Sequence, residues 1–354
     1  MLNLKQLDVI GLDIGSSSVK IISMNRDNAG YIVKAAGYAE IAADSENNFD
    51  TVSDEKVMAR IIDAINKCFA TAKLRAKQKI KTNLAVCGVS GPEVAVRDFA
   101  FPRLPDEEIE SAINLEADVL CPFNAGQASI DYQIISDNDD STKGFIVAAT
   151  KSLLASKKQL ADKAGLKCVL MDVDGLALLN CFNNLAEDCD REASAILNVG
   201  SENTTLAIMN KDGWPFIHDT SSSGNDIIIQ ILNENEISKE VLYSILFNNE
   251  EDVPFDLASS LEKASDRLIS SVSNALRFYA AQEKSVPLRK IYICGGFAIA
   301  RGFIELLSRR LGTEVILWNP FSNIRCDASQ GCKEILTKQG HALAVAAGLA
   351  MRSI

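Results

Sequence analysis

The sequence predicts an α/β protein built from two homologous lobes. Three observations lead there. The 354 residues hold about two domains at roughly 150 residues each. Segments of strand period alternate with segments of helix period along the chain. A strand, turn and strand also occurs twice: LDIGSSSVKIISM at residues 12–24 and LNVGSENTTLAIM at 197–209 align without a gap, matching Leu, Gly, Ser and Met. The alignment pairs Asp13 with Asn198 and Ile14 with Val199, and each copy heads its own half of the chain, followed by a turn and a third strand.

The first half opens with the meander VIGLDIGSSSVKIISM and YIVKAAGYAEI, then an acidic loop at residues 44–50. Val57, Ile61, Ile62, Ile65 and Phe69 recur at helical spacing, predicting a helix over residues 54–75 with Ser53 or Asp54 as its N-cap. Strands NLAVCGVS and EVAVRDFAF follow, then a helix opened by Pro105-Asp106 and ending near Leu120, strands SIDYQII and GFIVAAT, a helix at 152–164, strand LKCVLMD and helix GLALLNCF. Asp106, Glu107 and Glu108 suit the positive end of a helix dipole. In the second half, a turn at 211–213 and strand WPFIHDT complete the meander. Helices near 225–235, 239–247 and 256–283, strand KIYICGG, helix GFIELLSRRL, strand TEVILW and helix GHALAVAAGLAMR come after it.

Forty-seven acidic against 36 basic residues give a formal net charge of -11, which repels phosphate backbones and argues against nucleic acid as a partner. No apolar run approaches the roughly 20 residues needed to cross a bilayer, so the expectation is a soluble, cytoplasmic protein. Nine cysteines without a C-x-x-C pair, several in apolar strands, read as reduced core thiols. Cys326 and Cys332 lack two further ligands at usable spacing, and His218 and His341 read as structural.

A Gly/Ser turn between two strands exposes backbone N–H groups that bind phosphate oxygens. In DIGSSSVK, Gly15 permits the turn, Ser16 and Ser17 add donors, Lys20 reaches a phosphate, and Asp13 holds Mg²⁺ directly or through water. An ordinary polar hairpin explains one such turn equally well. Two of them, with an ICGG turn after a later strand, describe two phosphate clamps and a platform for adenosine.

IGLDIGSSSVK resembles the first phosphate loop of the actin, DnaK-type chaperone and sugar kinase superfamily, and LNVGSENTTL the second. IYICGGFAIARGF resembles the adenosine motif and GHALAVAAGLA the second connecting helix. Within the superfamily, FPRLPDEEIESAINLEADVLCPFNAGQASIDYQII and LKCVLMDVDGLALLN are similar to the type IV pilus assembly PilM family, relatives of FtsA. The resemblance covers essentially the whole chain. It implies duplicated actin-like (ribonuclease H-like) lobes around a nucleotide cleft, with a small FtsA-type subdomain inserted at about residues 84–165. Residues 1–190 form the first lobe, 191–339 the second, and the closing helix at 340–354 returns to the first.

The resemblance further implies ATP and Mg as ligands. Asp13, Gly15, Ser16, Ser17, Lys20, Gly200, Thr204 and Thr205 are placed at the phosphates, Gly295 and Gly296 at the adenosine, and Asp13 and Asn198 at the metal through water. It implies a scaffold recruited to the inner membrane by the cytoplasmic N-terminal peptide of a PilN-like protein, because the chain shows no FtsA-type membrane helix after residue 350. An FtsA-like ATPase or self-associating filament former is the alternative; a sugar or acetate kinase would need a substrate acid or base that is not evident. Two departures bear on activity: Asn198 stands where the family has Asp, and Ser271, Asn274 and Ala275 stand where Glu, Arg and Ser are expected. Hydrolysis is therefore expected to be weak or absent. Asp174 occupies the place of a water-orienting group, with helix capping as the plain alternative.

Overall fold

The computed structural model describes residues 8–42, 54–72, 82–138, 140–186, 194–210, 213–248, 250, 252–282 and 285–352. The expected loop at 44–50, the Ser53 cap, the end of the first helix beyond residue 72 and most of the turn at 211–213 lie outside them.

The first lobe opens with β1 (Ile10–Ile14), β2 (Ser18–Asp27) and β3 (Gly30–Glu40), an antiparallel meander in register Asp13↔Lys20 and Lys20↔Tyr38. β1 is buried along its whole length, as a central strand covered on both faces must be. Helix α1 (Asp54–Thr71) lays Ala64, Ile65, Cys68 and Phe69 on the outer face of this sheet, against Ile10, Leu12 and Ile21. β4 (Leu84–Val89) then joins β1 in parallel.

β5 (Val94–Pro102), α2 (Asp106–Leu120), β6 (Ala128–Asp137) and β7 (Ser141–Thr150) form a separate unit, a three-stranded antiparallel sheet of order β5-β7-β6. α2 covers one face through Ile109, Ile113 and Ala117, which meet Phe99 and Ile146. The other face turns toward the lobe. Helix α3 (Lys151–Lys163) and β8 (Lys167–Val173) return to the first lobe, β8 pairing parallel with β4. Of the expected 84–165 segment, residues 94–150 build this three-stranded unit, and the flanking β4, α3 and β8 join the first sheet or its core. β4 pairs with β1 and β8 and is buried with them, and α3 sends Leu160 and Ala161 into the core of Ile10 and Leu12.

α4 (Asp174–Leu185) leads to the second lobe, where β9 (Ser194–Val199), β10 (Thr204–Met209) and β11 (Pro215–Thr220) repeat the meander. Three helices follow: α5 (Gly224–Asn235), α6 (Lys239–Phe247) and α7 (Leu257–Ala280). α7 sets Leu261, Leu268, Val272, Ala275 and Tyr279 on one face toward the outer side of the sheet, the stripe that its helical period dictates. β12 (Lys290–Cys294), α8 (Phe303–Leu311) and β13 (Glu314–Leu317) complete a sheet of order β11-β10-β9-β12-β13. β14 (Arg325–Cys326) crosses to the outer edge of β3, giving the first sheet the order β14-β3-β2-β1-β4-β8. α9 (Gln330–Gln339), a 3-10 turn (Gly340–Leu343) and α10 (Ala344–Ala350) close the described chain. β14 and α9 were not foreseen, because only two residues of β14 pair and α9 begins inside a polar stretch.

The two sheets share one wall, made of α4 and α10. Their small side chains, Ala177, Ala346 and Ala347, sit in one cluster with Ile22 and Val86 of the first sheet and Ile196, Ala207 and Cys294 of the second. The helices cross so closely that a Cβ on Gly348 would lie 1.8 Å from the Ala177 carbonyl oxygen. Cys68, Cys87, Cys181, Cys294 and Cys332 are buried free thiols, as core cysteines should be.

Candidate functional site

The two meander turns share their hydrogen bonding as well as their sequence. Gly15 N–H donates to the Ser18 carbonyl at 3.1 Å, and Gly200 N–H to the Asn203 carbonyl at 3.0 Å, the same bond 185 positions later. Ser16 and Ser17 are exposed at the first turn, with the Ser17 carbonyl accepting from Ile41 N–H at 2.8 Å. Lys20 folds over that turn: its Nζ lies 3.3 Å from Asp13 Oδ2 and 3.0 Å from where a Cβ on Gly15 would stand. Both members of the Asp13–Lys20 pair are largely shielded from solvent, so the pair keeps more of its attraction than a surface bridge does.

The second turn differs in its side chains. Asn198, Thr205 and Asp219 lie directly across from one another on β9, β10 and β11 and therefore share one face of the sheet. Thr205 Oγ1 donates to Asp219 Oδ1 at 2.6 Å, and Thr204 Oγ1 donates to the Ser222 carbonyl at 2.7 Å. Both threonines are buried with their donor protons committed to the protein. Any contact of these two residues with a phosphate would therefore have to come from other atoms; Gly200 is the member of this set that stays partly open. The N-terminus of α5 closes on the turn, with Gly224 N–H on the Gly200 carbonyl at 3.0 Å.

Asp174 is the first residue of α4, and the N-cap position belongs to Val173. Its carboxyl does not cap: Oδ1 is sealed from solvent without a hydrogen-bond partner, 2.3 Å from the place a Cβ on Gly88 would take. Burial pushes this carboxyl up to about 7, helped by the negative charges of Asp13 and Asp219 and opposed by a Ser90 hydrogen bond and the Lys157 cation. Asp219 is raised too, first by burial, against its Thr205 and Gly91 hydrogen bonds. Asp174 thus feels a carboxylate from each lobe, Asp13 of the first and Asp219 of the second.

Gly295 adopts φ +94, and a Cβ there would lie 2.4 Å from the Val199 carbonyl and 2.6 Å from Asn198 Oδ1. Glycine is therefore required where the strand end of β12 meets the second turn. Gly295 N–H donates to the His341 carbonyl at 2.9 Å, tying this corner to the segment that opens α10. Gly296 is exposed with open space at its Cα, as a surface for a flat ligand needs to be. On α7, Ser271 Oγ lies 3.4 Å from His218 Nε2, Asn274 is exposed and Ala275 is buried. His341 is buried with an unpartnered Nε2 and held down to about 4 by desolvation, so it stays neutral.

Sequence reasoning missed Lys157, Ser90, Gly91 and Asp219. Lys157 Nζ donates to the Ile14 carbonyl at 2.6 Å, at the strand end that leads into the first turn. It is one lysine among several on α3, and nothing in the pattern marks it. Asp219 could have been found by carrying the internal alignment into the third strand, where it stands opposite Thr205 as Tyr38 stands opposite Lys20.

Solved structures with this arrangement share the fold at low identity. A chain of the "PilM-PilN type IV pilus biogenesis complex" superposes with a TM-score of 0.77 at 22% identity, covering 98% of each chain. The ethanolamine utilization protein EutJ from Carboxydothermus hydrogenoformans gives 0.54 at 16% identity, over 98% of this chain and 90% of that one. A diol dehydratase-reactivating factor in nucleotide-free form gives 0.52 at 10%, over 97% and 98%. The fold is the duplicated actin-like one that the resemblance implied. The type IV pilus assembly protein PilM family matches residues 11–354, nearly the whole sequence, and the chain belongs to that family.

Proposed function

We propose that this chain is a nucleotide-binding cytoplasmic scaffold of type IV pilus or related secretion-machine assembly, docked to the inner membrane by the cytoplasmic N-terminal peptide of a PilN-like protein. No helix among the described residues is long and apolar enough to cross a membrane.

One observation supports the partner most directly. Between the inserted unit and the first lobe runs a seam floored by buried Val94, Val96 and Val173, whose walls, Phe145, Val147, Leu153, Leu154 and Met171, are only half-buried. β5 and β6 each pair only with β7 among the described residues, leaving sheet edges to which an extended peptide can add. Its alternate apolar side chains would fill the seam.

The cleft fits a nucleotide. The open Gly296 and the two glycine turns suit adenosine and phosphates, and the unpartnered Asp174 Oδ1 awaits a hydrogen-bond donor such as water. No set of three or more His, Cys, Asp or Glu among the described residues converges to hold a metal. Magnesium would therefore be held by phosphates and reach Asp13 and Asn198 through water, where it neutralises phosphate charge. Lys20 and the Gly15 and Gly200 amides orient the phosphates, and Asp174 holds a water at its carboxyl. With that carboxyl half-protonated near neutral pH and Asn198 uncharged, hydrolysis is slow.

The test is binding of a labelled N-terminal peptide of the PilN-like protein from the same organism to the full chain. Val147→Asp and Leu154→Asp, in folded protein, should each weaken it by about tenfold or more. Unchanged affinity in both variants would remove the seam as the docking site.

A further inference from the structure

The two most exposed large apolar side chains of the described residues stand one helical turn apart on α2: Leu115 is 71% exposed and Val119 78%. Scattered exposed aliphatics are normal. These two continue a line through Ala112 to Glu108, a ridge roughly 16 Å long on the side of α2 away from Ile109, Ile113 and Ala117. The helix also bears Asp106, Glu107, Glu108, Glu110, Glu116 and Asp118 and not one basic residue. None of these six carboxylates forms an ion pair among the described residues, and nearby Arg103 faces Asp137 and the Asn138 carbonyl instead.

We propose that the outer face of α2 docks a cationic amphipathic helix of a partner protein, its apolar stripe on Leu115 and Val119 and its Lys or Arg side chains among the six carboxylates. Helix-on-helix docking of this kind reads apolar anchors at helical spacing, and complementary charge sets encounter and orientation. The charge also selects against other occupants. A second copy presenting the same face would set carboxylates against carboxylates, and an anionic lipid surface is repelled. This surface is independent of the seam. Ile146 of β7 packs under α2, whereas its neighbours Phe145 and Val147 point to the opposite face of the sheet, so α2 and the seam lie on opposite sides of the inserted unit.

A synthetic helical peptide with a leucine stripe at helical spacing and lysines elsewhere serves as the probe, beside an isomer of identical composition with the stripe scrambled and one with glutamates replacing the lysines. Fluorescence anisotropy with the full chain should show the striped cationic peptide bound at least about tenfold more tightly than either control, and weakening as salt rises. Leu115→Ser with Val119→Ser, surface changes that leave the melting temperature unchanged, should lose that preference. Glu116→Gln with Asp118→Asn should lower affinity and flatten the salt dependence. Leu154→Asp in the seam should leave it intact, which separates this surface from the peptide site proposed above. Equal binding of striped and scrambled peptides, or a striped-peptide affinity that neither double variant changes, overturns the proposal. So does a wild-type dimer that the Leu115→Ser and Val119→Ser protein no longer forms.

Discussion

The two meanders are one backbone with two electrostatic characters. In the first, the row across the strands reads Asp13, Lys20, Tyr38, and its charge is an ion pair folded over the turn. In the second, the equivalent row reads Asn198, Thr205, Asp219, so the strand-end carboxylate is gone and a carboxyl sits two strands away, bonded to a threonine. The turn hydrogen bond survives in both because it needs only backbone and a glycine. Duplication thus preserves what the main chain does and lets the side chains differ: an ion pair folded over one turn, a neutral turn with a buried acid nearby at the other.

Removing the wall that both lobes share breaks the comparison most severely. A methyl on Gly348 would have to enter the Ala177 carbonyl, so Gly348→Ala must push α10 off α4, the contact on which both sheets rest. The expected loss is about 2 kcal/mol or more, read from denaturant midpoints. A near-neutral result would mean the helices are free to slide apart.

Gly15→Val tests the first clamp alone. The added side chain meets the end of the flexible Lys20 and the Ser18 carbonyl at 3.0 and 3.2 Å, which the fold tolerates better than the wall tolerates Gly348→Ala. ATP with magnesium at a hundred times its dissociation constant should stabilise the unmodified chain by about 2.7 kcal/mol, and the substitution should abolish that gain. A melting shift that survives it would leave the second turn as the whole phosphate site.

The buried acids sharpen the comparison through pH. Asp174 ionises at 3.8 when unfolded and at about 7 in the fold, so the fold holds its proton more tightly. The stabilisation this represents is complete below the unfolded value and is lost as pH rises to about 7. Asp174→Asn copies the protonated form at every pH. It should therefore raise stability over the parent, by up to about 4 kcal/mol near pH 8, with the difference fading toward pH 4. An equal difference at both ends would show that the carboxyl does not titrate in this window.

How much of this was legible depends on which interactions decide each part. The meanders, the glycine turns and the duplication are local or periodic, so residues 12–24 and 197–209 display them directly. That β4 joins the first sheet is not visible in a short apolar run until its parallel pairing with β1 is known. Thr204 and Thr205 look like phosphate ligands in sequence, and only their partners, the Ser222 carbonyl and Asp219, show where the hydroxyls go. Lys157 and Ser90 reach the cleft from outside both repeats, through tertiary placement that no spacing encodes.

The smallest effect, and the most specific to the asymmetry, is expected from Asn198→Asp. Among the described residues, Asn198 Oδ1 accepts only from the weak Cys294 thiol donor at 3.7 Å, so a carboxylate there gains little from them. It would add a negative charge on the face that Thr205 and Asp219 share, and so should lower stability slightly without metal. Magnesium and nucleotide together would reverse the sign, since a carboxylate holds the metal's waters better than an amide does. The substitution should therefore enlarge the magnesium-dependent part of the nucleotide melting shift. Turnover, expected to be well below about 1 per second in the parent, should rise with it. A shift that is the same with and without magnesium in both proteins would show that position 198 does not address the metal, and that the second lobe lost its carboxylate without consequence.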